Sequence, residues 1–190
     1  MEERFASLTH MQLTLAVSPT ILISIPHTIP FTIRAKIFQN LIKQQREGYN
    51  GFHPVTINRS YILENAFDRI YMNKANLKGP LQIKFVNEHG QVEEGIDGGG
   101  LFKEFITKLC DKIFDPEYCF FKENESDRKM HPNHLSKAFD NWRQMFKFFG
   151  MIVGKAIFEG CLLKVTFTKT FLNRLAKKSN QIDDLKTMDK

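Results

Sequence analysis

The amino-acid sequence predicts an α+β fold, mostly helical, with a few short strands. Two observations carry that prediction. Long stretches repeat apolar residues at helical spacing, most clearly from Leu101 to Phe114 and from about Ser136 to Glu159. Short runs at 55–58 and 81–85 instead alternate apolar and polar residues, as half-buried strands do. With 190 residues and 42% apolar composition, the chain can build one ordinary core without needing two domains. Eighteen Phe stand against four Tyr and one Trp. Phe rings have no polar handle, so many of them should pack on one another inside.

Residues 1–23 have no clear period and read as a leader. Residues 24–76 read as a helical lead-in segment, and 77–190 as the main region. Ile25-Pro26 and Ile29-Pro30 punctuate the start, because a residue before proline is pushed out of the helical region. From Thr32 the pattern is helical, with Ile33, Ile37, Phe38, Leu41 and Ile42 on one face, until Gly48, Asn50 and Gly51. Val55 to Asn58 is a short strand. Ser60 is placed to cap a helix with the stripe Ile62, Leu63, Ala66, Phe67 and Ile70. Leu81, Ile83 and Phe85 form the buried side of a second strand. The helix beginning at Leu101 stops at Asp115-Pro116, and 122–134 is polar enough for a surface connection. Gly160 suits the end of the long helix. Val165 to Phe167 is extended, and Thr168 can cap a last helix through Leu175.

Composition excludes several classes. The net charge of +6 is spread along the chain with no basic patch interleaved with aromatics, which argues against nucleic acid. Cys110, Cys119 and Cys161 are few, odd in number and without a CxxC pair, as in a reducing compartment rather than a secreted disulfide scaffold. Leu13 to Ile25 is short for a membrane span, contains Pro19 and follows acidic residues. Trp142 to Phe158 is longer, but Arg143, Lys147, Lys155 and Glu159 recur at multiples of four and make one stripe charged. The expectation is a cytosolic or nuclear protein with no membrane partner and no cofactor.

Gly95 to Gly100 is the most distinctive segment. A glycine run before a helix can cradle phosphate, but neither GxxxxGK[ST] nor GxGxxG occurs, and Glu93, Glu94 and Asp97 would repel an anion. The glycines instead permit positive φ and close chain approach, and Asp97 complements the positive end of the helix that follows. Glu104 falls on the polar side of that helix, solvated or paired. His131-Pro132-Asn133-His134 has an i, i+3 spacing, but no Cys or Asp pair supports a metal, and the segment reads as a surface loop. Gly150 and Gly154 form a GxxxG pattern, read here as close approach of two helices within the core. Cys110 and Cys161 sit among apolar neighbours, and none of the three cysteines has a sequence-adjacent base to activate it.

Four blocks together resemble the amino-terminal lobe of the HECT family of E3 ubiquitin ligases, from about Ile25 to Lys190. They are Ile25 to Phe31 running into the helix with Arg34; Ile57-Asn58-Arg59; Gly95 to Phe105 continuing to Phe114-Asp115-Pro116 and Phe120-Phe121; and Phe148 to Gly160 followed by Val165-Thr166-Phe167. The Ile-Pro opening is similar to the branch of ubiquitin-protein ligases E3B and E3C.

The resemblance implies the large subdomain of that lobe and an acyl transfer in two steps. A ubiquitin-conjugating enzyme hands ubiquitin to a ligase cysteine as a thioester, and a substrate lysine then attacks it. The family's cysteine follows Thr or Ser and precedes Phe or Leu near the end of a carboxyl-terminal lobe. Cys110, Cys119 and Cys161 lack that context, so no catalytic residue is assigned and 77–190 is expected to be a truncated HECT domain, inactive alone. Asp97, Gly98, Gly99, Gly100, Glu104, Phe105, Gly150 and Gly154 are carried over as scaffold positions. The implied partners are a conjugating enzyme, ubiquitin and protein substrates. The alternative is a non-enzymatic module that binds ubiquitin or another partner.

Overall fold

The computed structural model describes residues 19–46, 51–87, 89–93, 100–125 and 127–185. Asp97, Gly98 and Gly99 lie outside them. The chain divides into two compact units, 1–51 and 52–190. In the first, α1 (Pro19–Ser24) and a 3-10 turn (Pro26–Thr28) lead to α2 (Phe31–Arg46). Ile25 and Ile29, each ahead of a proline, have non-helical backbone angles, as the proline rings require. Of the stripe predicted on α2, only part is covered. Ile33 and Ile37 are buried with Ile29 in a small cluster that Leu22 joins, whereas Phe38 and Leu41 are exposed. Three isoleucines and one leucine are too few to cover so wide a stripe.

In the second unit, β1 (His53–Asn58) and β2 (Leu81–Val86) pair in parallel, with Val55 opposite Ile83 and Ile57 opposite Phe85. A parallel pair needs a crossover. Here it runs through a 3-10 turn (Arg59–Tyr61), α3 (Ile62–Ala66) and a π-helical turn (Phe67–Met72). Side-chain alternation sends Val55, Ile57, Leu81, Ile83 and Phe85 inward and leaves Thr56, Gln82 and Lys84 outside. The predicted single helix from Ser60 is therefore three tighter and wider turns. Its cap differs too: the Asn58 side chain accepts from the Ser60 N–H at 2.9 Å, so Ser60 is the capped residue. The buried stripe, Ile62, Leu63, Ala66 and Ile70, is as the periodicity predicts.

Helix α4 (Gly100–Ile113) presses Phe105, Ile106, Leu109, Cys110 and Ile113 into the main core. It ends where Asp115 turns to cap the 3-10 turn Pro116–Tyr118. The segment read as a surface connection is a hairpin: β3 (Phe121–Glu123) pairs antiparallel with β4 (Met130–Pro132). Met130 also bridges Phe167, which confirms the extended backbone there. Polar residues misled the reading because the hairpin buries only alternate positions, Phe121 and His131 among them. Helix α5 (Trp142–Phe158) begins after a separate 3-10 turn, His134–Ala138, rather than at Ser136. It ends in a Schellman arrangement. Gly160 has φ +70°, its N–H bonds to the Ile157 carbonyl, and the Cys161 N–H bonds to the Ala156 carbonyl. Thr168 caps α6 (Lys169–Leu175) by accepting from the Phe171 N–H, as predicted; α7 (Ile182–Leu185) follows. The Phe-rich composition finds its use between β3, α5 and α6. Phe121 contacts Phe114, Phe146, Phe149, Phe167 and Phe171 at ring-centroid distances of 4.8–6.4 Å, mostly edge to face.

Candidate functional site

The polar centre of the second unit is built on Arg59, the first residue after β1. Because β1 and β2 are parallel and in register to Asn58 and Val86, the end of β1 is delivered beside the end of β2. Backbone pairing of Glu93 N–H to the Phe85 carbonyl, at 2.9 Å, then returns the chain alongside β2. Arg59 thus meets Glu93 on one side and Glu104, one turn into α4, on the other.

The guanidinium uses three of its five N–H donors on two carboxylates. Its Nε donates to Glu93 Oε1 at 2.6 Å, Nη2 to Glu93 Oε2 at 2.7 Å and Nη1 to Glu104 Oε1 at 2.6 Å. Lys108 adds a 3.3 Å contact to the same Glu104 oxygen. The guanidinium also stacks over the Phe85 ring, 4.0 Å from its centroid. A planar fork suits this double role; a lysine could not grip one carboxylate with two parallel bonds and reach a second.

The bonds from Arg59 hold the Glu93 and Glu104 carboxyls below the usual carboxylate range, and the two carboxylates in turn raise the Arg59 pKa. Both acids therefore stay ionised near neutral pH, and arginine does not surrender its proton. The cluster is a clamp on position, not an acid–base pair. It fixes the two chain ends flanking the glycine segment: Glu93 precedes it and Glu104 follows it.

A second polar anchor lies under α5. Lys155, assigned by the sequence to a solvated charged stripe, is 2% exposed. Its Nζ donates to the Gly79 carbonyl at 2.8 Å and pairs with Glu159, and it lies near the faces of Phe102 and Phe158. Spacing by four put Lys155 in line with Arg143 and Lys147; burial of α5 on the 76–80 turn took it out of that company. Beside this anchor is a cleft of about 630 Å³ lined by Phe52, Leu81, Phe102, Glu159, Cys161 and Leu162, among others.

Gly100 opens α4 and is exposed, while Phe105 is fully buried. Gly150 and Gly154 are exposed, and a Cβ added to either would meet no atom within 4 Å, so the close helix contact expected there is absent among the described residues. The pattern misled because a GxxxG reads the same on a helix's outer face as on its packed one. Cys110 is buried, and its thiol is pushed up to about 12, by burial first and then by the charges of Asp111 and Cys161. Cys119 has left-handed backbone, φ 57°, and Cys161 is half-buried against the cleft rather than deep in the core. No group of three metal-ligating side chains forms among the described residues, and His131 belongs to a strand rather than a loop. Sequence reasoning missed the roles of Phe85, Glu93 and Lys155. The only signal was Arg59 itself, a lone arginine closing a strand, and its partners are 34 and 45 positions away.

The chain is similar to proteins of one class. Residues 107–190 match the family model for the HECT domain, a ubiquitin-transferase domain. The chain is 38% identical over 176 residues to E3 ubiquitin-protein ligase UPL6 of Arabidopsis thaliana. It is 32% identical over 180 residues to human ubiquitin-protein ligase E3B and 33% identical over 181 residues to E3 ubiquitin-protein ligase etc-1 of Caenorhabditis elegans. These alignments take in 89%, 87% and 86% of this chain but 17%, 17% and 18% of the relatives' own lengths. The likeness to HECT-type ubiquitin ligases drawn from the motif blocks agrees with these matches.

Proposed function

We propose that this chain forms the large-subdomain part of the amino-terminal lobe of a HECT-type E3 ubiquitin transferase, with a conjugating enzyme, ubiquitin and protein substrates as the partners of the whole enzyme. The observation that carries this reading is the HECT-domain match over 107–190. The state of the Cys110 thiol supports assigning the chain a scaffold role within that enzyme. A thioester-forming cysteine must reach the thiolate and meet a carbonyl donor. Cys110 is buried with a raised pKa and cannot do so readily at neutral pH. Glu104 and Phe105, held by the Arg59 clamp and by the core, fit scaffold positions, and the same role is proposed for Asp97 to Gly100, Gly150 and Gly154. The cytosol or nucleus is the proposed location.

The test has two arms. The 190-residue chain, incubated with ubiquitin, activating enzyme, ATP and a panel of conjugating enzymes, is expected to form no ubiquitin adduct that thiol reductant removes. A reducible adduct abolished by Cys110→Ala, Cys119→Ala or Cys161→Ala would refute the scaffold assignment. In the second arm, this chain replaces the aligned stretch of human ubiquitin-protein ligase E3B. Retained self-ubiquitination supports the ligase reading, and a folded but inert chimera counts against it.

A further inference from the structure

We draw no further inference here: the strongest candidate, the aromatic groove of the second unit lined by Leu63, Glu64, Phe67, Asp68, Tyr118 and Met145, carries none because nothing in the structure shows what covers it and two carboxylates at its rim do not specify a partner.

Discussion

Arg59 and Lys155 both tie together segments far apart in the chain, yet they do so at opposite levels of solvent contact. The Arg59 side chain retains 30% exposure and Lys155 none. The rim position tolerates three charges in contact because water still screens them, and three of arginine's five donors are spread over two carboxylates. The dry position allows a cation only because a carboxylate, a backbone carbonyl and two aromatic faces surround it. Burial, more than residue type, decides how strongly each anchor matters. A partly solvated clamp holds geometry at modest cost when broken, whereas removing a buried ammonium takes a hydrogen-bond donor from a dry site that water cannot refill.

The largest effect should come from Lys155. Lys155→Ala removes the bond to the Gly79 carbonyl and the pairing with Glu159 and opens space beneath α5, so unfolding in urea should show a loss of about 3 kcal/mol or more. A loss no greater than that of Arg59→Ala would break the contrast. Arg59→Ala leaves two carboxylates facing each other over an uncovered Phe85. A loss of about 2 kcal/mol is expected, and Arg59→Lys should recover only part because the fork is gone.

Acid sharpens the comparison. The Glu93 and Glu104 carboxyls are depressed in the folded state, so their contribution is full above their unfolded pKa of about 4.3 and fades as pH falls through the lower folded values. Stability of the parent should therefore drop more steeply below about pH 4 than that of a Glu93→Gln, Glu104→Gln variant. Parallel acid curves would detach the clamp from stability. The smallest effect concerns α5. With open space at both glycines, Gly150→Ala and Gly154→Ala should each raise stability by up to about 1 kcal/mol through helix propensity. A loss instead would mean that something packs closely there.

Local signals were legible wherever neighbours in sequence decide the outcome. The strand alternation at 81–86, the stripe of α4, the stop at Asp115-Pro116, the Gly160 turn and the Thr168 cap all depend on contacts within a few residues. The errors share one cause. Polar residues at 122–134 form a hairpin, Lys155 is buried, Gly150 and Gly154 face outward, and Phe38 and Leu41 lack cover, because each depends on what arrives from elsewhere in the fold. The same holds for the candidate site: Glu104 and Phe105 were singled out by their motif, but the arginine joining Glu104 to Glu93 sits on another element.

What the sequence by itself determined was the kind of fold and the likeness to HECT-type ligases, since periodicity, caps and four ordered motif blocks are written along the chain. Only the tertiary structure decided which charged residue is buried and which glycines are covered. It also decided which carboxylates share one guanidinium. Such pairings need separations of 34, 45 and 76 residues to be closed by packing, and one-dimensional spacing carries no record of that closure.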